Sequence, residues 1–315
     1  MSSFALKVTR FAFAVPGWLF PDTAAKLAFR LFCLTPSRRP RGGKALAMEN
    51  EGRERLAATQ KIPLTLGKST VMAYRFNGDG KPGRPRYLVV HGWGSNAAYI
   101  AALPAGLAEN GAEVVVLDFP GHGLSSGRSL NMRQAVEAIV AAEKRFGHFD
   151  AAVGHSFGGA SMMLAAGGVM KDVAMISPSK LVVIGAPSHI HWLFDDFSRM
   201  VGLPPRVKAQ LIRRAENVAG ASLDDFDTVA SAARLGTPLL VVHAEEDKEV
   251  AADHARRFEG LATARLEWAN GLGHRRIVSD RGVIETIAAF LTGDGRPLRE
   301  TWSNRGAIRP QPFKN

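Results

Sequence analysis

The sequence is poor in cysteine. Cys33 is the only one among 315 residues. This excludes an intramolecular disulfide framework and any metal site built from cysteine alone. A chain of this length folds without such staples, so the low count fits a reducing, cytoplasmic setting. Long apolar runs are missing too. No segment reaches about 18 uninterrupted apolar residues, so no membrane-spanning helix is expected. No G-x-x-x-x-G-K-[ST] loop is present, and no G-x-G-x-x-G fingerprint joins a strand to a helix. That argues against a nucleotide site. There is no internal repeat. With 46% hydrophobic and 22% charged residues, the chain is neither mainly disordered nor collagen-like.

Charge is unevenly spread. The net charge is +11. Residues 1–61 contribute +7 and residues 296–315 contribute +4, whereas 62–295 is neutral, with 24 charges of each sign. Basic proteins invite a nucleic-acid reading. Basicity confined to two tails around a neutral core weakens it and suits peripheral contact with anionic lipid at least as well. At the N-terminus, Lys7 and Arg10 precede an apolar stretch from Phe11 to Phe20 broken by Pro16. This is similar to the charged and apolar regions of a signal peptide. Pro21 and Asp22 follow in place of a small-x-small cleavage site, which disfavours secretion. A second amphipathic stretch, Ala24 to Leu34, leads to Arg38-Arg39-Pro40-Arg41. Its apolar residues Phe29, Leu31, Phe32 and Leu34 suit either a membrane interface or packing on the domain.

From residue 62 the pattern alternates strand and helix. Leu64–Leu66 and Thr70–Phe76 read as a hairpin. Tyr87–Val90, Glu113–Leu117, Ala151–Val153, Leu181–Ile184, Pro238–Val242 and Ala264–Trp268 read as short strands. Helices are expected at Ala97–Asn110, Met132–Phe146 with Asn131 as cap, Phe157–Ala166, Ala251–Phe258 and Val278–Leu291. Apolar runs without alternation suit strands buried on both faces. The expected class is α/β, a doubly wound and mostly parallel sheet, whose ligands bind beyond the carboxyl ends of the strands. About fifty residues between Ile184 and Pro238 contain no strand. They are read as a helical lid over that edge, about 186–235. The expected organisation is a basic helical extension over 1–61, a catalytic domain over 62–292 and a basic tail over 293–315.

The chemistry concentrates after the strands. Gly154-His155-Ser156-Phe157-Gly158 matches G-x-S-x-G between an expected strand and helix. Turning strand into helix over one residue strains Ser156 and pushes its hydroxyl into the pocket. Side chains two positions to either side would collide, hence the glycines. A nucleophilic serine needs a base, and the base needs an orienting acid. His274, in Gly271-Leu272-Gly273-His274-Arg275, follows the last expected strand. Asp247 lies a few residues past Val242, beside Glu245 and Glu246, which are read as a solvated turn. An oxyanion needs two converging N–H donors. Phe157, directly after the nucleophile, and Trp93, in His91-Gly92-Trp93-Gly94, are the candidates. Of the other histidines, His122 reads as a turn brace and His155 as packing. His189 and His191 share a spacing of two but lack further identifiable metal ligands.

On these motifs, together with Asp118-Phe119-Pro120-Gly121-His122-Gly123-Leu124-Ser125, residues 62–292 resemble the α/β-hydrolase superfamily. The resemblance implies an eight-stranded, mostly parallel sheet and a serine hydrolase with Ser156 as nucleophile, Asp247 as acid and His274 as base. It aligns Trp93 with the second oxyanion donor. The expected substrate is a small-molecule carboxylic ester rather than an amide or thioester, and no cofactor or metal is required. An acyltransferase with the same triad and a non-catalytic binding protein on this fold are the rival readings. The tails fall outside the resemblance, and substrate identity and oligomeric state are not legible.

Overall fold

Eight short strands form one sheet. β1 (Gln60–Leu66) and β2 (Ser69–Phe76) are the hairpin, closed at Gly67, followed by β3 (Arg86–Val90), β4 (Glu113–Asp118), β5 (Ala151–His155), β6 (Lys180–Ile184), β7 (Leu239–His243) and β8 (Ala264–Trp268). The spatial order is β1-β2-β4-β3-β5-β6-β7-β8. β2 runs antiparallel to β1 and β4, and all other neighbours are parallel. The computed structural model describes residues 19–38 and 42–293. The stretch carrying Lys7, Arg10 and Phe11 onward, Arg39 to Arg41, and the basic tail after Gly293 lie outside the described residues.

Both sheet faces are covered, which explains the continuous apolar runs. Successive side chains alternate across a strand. Leu88 and Val90 enter one core, whereas Tyr87 and Val89 enter the other. The first core is closed by α4 (Met132–Phe146) and α5 (Phe157–Ala166), the second by α3 (Ala102–Glu109) and α11 (Arg281–Thr292). α4 begins at Asn131, whose side chain accepts from the Gln134 N–H while Gln134 reaches back, a full capping box. Two expected helices are shorter than their apolar spacing suggests. α3 starts at Ala102 instead of Ala97. Pro104 has no N–H and its ring would strike the carbonyl of residue 100 in a continuous helix, so it sits in the first turn. α11 starts at Arg281, because Asp280 caps the N–H groups of Gly282 and Val283. Regular helix near Ala251–Phe258 is confined to α9 (Asp253–Arg256).

Between β6 and β7 lie α6 (His191–Val201), α7 (Pro205–Ala219), a short 3-10 turn at Leu223–Asp225 and α8 (Thr228–Leu235). This is the helical insertion. The N-terminal extension contributes α1 (Pro21–Phe32) and α2 (Gly43–Ala57). α1 buries Ala24, Ala25 and Ala28, small residues that let it lie close against the insertion helix α7. Phe32 stacks on Phe194 of α6 at 4.6 Å between ring centroids and meets Phe197 edge-on at 5.2 Å. Of the four apolar residues weighed for a membrane interface, Phe29, Leu31 and Phe32 pack on the core and Leu34 is exposed.

Past α1 the chain crosses to the sheet's carboxyl edge. Leu34 forms a bridge with Ser129, and the Thr35 N–H donates to the Arg128 carbonyl. The Arg38 guanidinium donates to the carbonyls of Gly121, Ser125 and Gly127. The extension is thus a strap that joins the insertion to the loop after β4.

Candidate active site

Sheet register brings the informative loops to one edge. Val90 at the end of β3 sits beside Gly154 of β5, and Ile184 of β6 sits beside His155 and Val242. Ser156 follows β5 and precedes α5 with φ 54° and ψ −126°. It is the only residue other than glycine with positive φ among the described residues, a conformation that costs of order 1–3 kcal/mol. The glycines around it are required by contact. A Cβ on Gly154 would stand 2.5 Å from Gly159 Cα, and one on Gly158 would stand 2.4 Å from the His91 carbonyl oxygen.

The turn directs Ser156 Oγ to His274, whose Nε2 lies 3.0 Å away. His274 lies in the one-turn helix α10 (Gly273–Arg276) after β8. Its Nδ1 lies 2.7 Å from Asp247 Oδ2. Asp247 Oδ1 accepts from the N–H groups of Glu249 at 2.8 Å and Val250 at 2.9 Å. Burial pushes the Asp247 carboxyl up, but the bond from His274, the backbone donors and the nearby imidazole outweigh it. The net effect holds the acid below its ordinary range. These partners put a proton on His274 Nδ1 and leave Nε2 free to accept from the serine. Glu245 and Glu246 serve the loops instead. Glu245 pairs with Arg256 at 3.1 Å, and Glu246 accepts the Gly273 N–H at 2.9 Å.

The loop after β3 lies against the serine because Gly92 has no side chain. A Cβ there would come within 2.8 Å of Ser156 Cβ. The Trp93 ring packs edge-on to Phe157, with centroids 5.7 Å apart. Two buried histidines fix this loop to the loop after β4. His91 Nδ1 donates to the Gly92 carbonyl and Nε2 accepts the Phe119 N–H at 3.0 Å. His122 Nδ1 donates to the Pro120 carbonyl and Nε2 accepts the Gly94 N–H at 3.0 Å. Each bond pattern requires a neutral ring. Burial lowers His91 to about 4; burial and then the neighbouring His91 lower His122 to about 3. His155 donates from Nε2 to the His274 carbonyl at 2.9 Å, so it holds the backbone of His274.

Ser156, His274, Asp247, Trp93 and Phe157 therefore arrive at one edge. Ser156, His274 and Asp247 form a continuous line, and Trp93 and Phe157 flank the serine. His189 and His191 line a cavity of about 440 Å³ with Asp224, Asp227 and Arg257, and His189 also lines one of about 480 Å³ that reaches Asp247 and Glu249. His191 is 3.1 Å from Asp224. Three contributions are not evident from sequence. Buried Asp118 accepts from Tyr74 Oη and from the N–H groups of Ala97 and Leu124, tying three segments together. Glu249 reaches within 3.9 Å of His274 Nε2 while paired with Arg275 at 2.6 Å. Arg38 acts from far away in sequence. Arg38 and Glu249 carry no local signal beyond a charged residue in a loop, and Asp118 is visible in the sequence only as the first residue of its motif.

A family model described as the Alpha/beta hydrolase family matches residues 87–286. No protein of curated function matches the sequence. Among solved structures, the chain is similar to a bacterial membrane phospholipase A, with 18% identity, TM-score 0.55, and 93% of this chain and 99% of that one covered. It is also similar to Est1E of Butyrivibrio proteoclasticus with bound ferulic acid (18%, 0.54, 74% and 97%). A proline iminopeptidase of Mycobacterium smegmatis is a third (16%, 0.53, 74% and 98%). At these identities the likeness is one of fold.

Proposed function

The chain belongs to the alpha/beta hydrolase family, and from that premise we propose that it is a serine hydrolase cleaving carboxylic esters. The observation that carries the reading is the line Ser156 Oγ–His274 Nε2, 3.0 Å, and His274 Nδ1–Asp247 Oδ2, 2.7 Å. In this reading Ser156 Oγ attacks the ester carbonyl as His274 Nε2 takes its proton. Asp247 keeps the imidazole in the required tautomer and stabilises the imidazolium. The N–H groups of Phe157 and Trp93 receive the negative oxygen of the tetrahedral intermediate, aided by the amino end of α5. His274 then protonates the departing alkoxide, which leaves an acyl-Ser156. Water enters, gives a proton to His274 and its oxygen to the acyl carbon, and the acid departs as Ser156 recovers its proton. Side chains and backbone alone perform every step.

The test is covalent. A fluorophosphonate should label Ser156, and a panel of esters of graded acyl length should be hydrolysed faster than matched amides. Labelling elsewhere, or matched amides hydrolysed faster than the esters, would overturn the reading. Adding an alcohol acceptor and analysing products separates hydrolysis from acyl transfer.

A further inference from the structure

Exposed apolar side chains are normally scattered over a soluble protein's surface. Here they are gathered. Nine large hydrophobic residues are exposed among the described residues, and six of them lie on the strap and on the two loops beside it: Leu19, Phe20, Leu27, Leu34, Trp93 and Leu124. Leu27 is exposed on α1 itself, Phe20 at its amino end and Leu34 just past its carboxyl end. Ala24, Ala25 and Ala28 form the buried side of the helix; at 3.6 residues per turn Leu27 borders that side, and Lys26 and Arg30 lie across the helix from it. Leu34 continues onto the loop after β4 through its bridge to Ser129. That loop carries Leu124, and Arg38 is bonded to its carbonyls. Pro36 lies against Gly94, where a Cβ would come within 3.2 Å of Pro36 Cγ. Trp93 precedes Gly94 and reaches the catalytic edge. The stripe therefore runs from the amino end of α1 to the mouth of the candidate active site.

Positive charge borders the stripe. Lys26 and Arg30 are exposed on α1, and Arg128 is exposed beside Leu34. None of the three pairs with a carboxylate among the described residues. Asp22 is the one acidic residue of α1. Apolar side chains rimmed by unpaired cations match the chemistry of a bilayer interface, where the former enter the acyl boundary and the latter meet anionic headgroups. A nucleic acid would use the cations and leave Phe20 and Leu27 without a partner.

We propose that this face docks on an anionic lipid bilayer, with the outer side of α1 and the mouth of the candidate active site turned to the membrane. The inference stands independently of the hydrolase reading. The experiment is co-sedimentation of the full chain with vesicles of phosphatidylcholine, alone or mixed with phosphatidylglycerol. The wild-type protein should bind the mixed vesicles far better, and salt should release it. Each cation near an anionic surface contributes about fivefold, so Lys26→Gln, Arg30→Gln and Arg128→Gln together should weaken partition about a hundredfold. Phe20→Ser with Leu27→Ser should weaken it on both vesicle types. Circular dichroism and hydrolysis of a water-soluble ester should not change in either variant, since these side chains face outward. Three outcomes would overturn the proposal. One is failure of the wild-type chain to bind mixed vesicles. Another is unchanged binding after the double serine substitution. The third is preference for duplex DNA over vesicles in competition.

Discussion

The elbow at Ser156 and the strap over residues 21–38 both touch the loop after β3, at Gly92 and Gly94, and are built on opposite principles. The elbow is local. Six consecutive residues, Gly154 to Gly159, determine the turn, and its cost is a strained serine at φ 54°. The strap is long-range. Nothing in Thr35-Pro36-Ser37-Arg38 marks a partner, yet Arg38 closes on carbonyls more than eighty residues later. In the proposed reaction the elbow supplies reacting atoms, whereas the strap ties the insertion helices and the loop after β4 to the domain. A change in the elbow should therefore alter chemistry before stability, and a change in the strap should do the reverse.

The largest effect is expected at Ser156. Ser156→Ala should lower turnover about 10⁶-fold and abolish fluorophosphonate labelling. Ser156→Gly should be equally inactive and more stable by about 1 kcal/mol. It releases strain of roughly 1–3 kcal/mol, offset by up to about 1 kcal/mol from glycine's freedom in the unfolded chain. Chemical denaturation of the two variants checks this. A glycine variant less stable than wild type would show that the elbow is not strained.

Next in size is Asp247→Asn, for which turnover should fall about 10⁴-fold while the fold persists. The amide offers Nδ2–H or a neutral oxygen to His274 and disturbs its tautomer. Glu246→Gln should cost far less, because Glu246 only accepts the Gly273 N–H. Steady-state kinetics on one ester would compare them directly. If Glu246→Gln were the more damaging, the acid would be misassigned.

The same contrast explains what was legible beforehand. Strands β3 to β8 and the elbow were readable because each depends on its own neighbours: apolar runs, a G-x-S-x-G spacing and loops that follow strands. Asp247 was readable from its register after β7. The amino end of α3 was not, because apolar spacing continued to Ala97 and Pro104 decided the matter. The roles of Arg38 and Glu249, and the bonds of Asp118 to Tyr74 and Ala97, were not, because they consist of partners brought near only by the fold. The amphipathic segment before Arg38 was ambiguous for a physical reason. It has both a packed side and an exposed apolar side, and sequence pattern alone did not divide them.

That division sets a prediction for the strap. Phe32→Ala removes a ring stacked on Phe194 and edge-on to Phe197. Since Phe32 is only partly buried, the expected loss is about 2–3 kcal/mol, below the value for a fully buried phenylalanine. Leu27→Ser, at an exposed position on the same helix, should stay within about 0.5 kcal/mol of wild type. Urea titration measures both. Equal losses would mean that α1 has no packed and free sides, and the contrast between them would fail.

The smallest effect concerns the histidines that join the two loops beside the elbow. His122 is neutral in the fold, with its value lowered by burial and then by His91 to about 3, whereas an unfolded histidine titrates near 6.5. Above about pH 6.5 both states are neutral, and His122 adds no pH dependence. Below it the unfolded chain takes up a proton that the fold refuses, so stability falls as pH drops toward the folded value. The slope for one such group is at most about 1.4 kcal/mol per pH unit. His91, lowered to about 4, acts in the same sense over a slightly narrower window. His122→Gln offers an amide oxygen to the Gly94 N–H and has nothing to protonate. It should lower stability at pH 7 modestly, through loss of the bond to the Pro120 carbonyl. It should also flatten the decline in urea midpoint between pH 6.5 and pH 5 by about one group's share. An unchanged slope would mean that His122 accepts its proton without disturbing the loops. The brace between the elbow's two flanking loops would then be weaker than its bonds suggest.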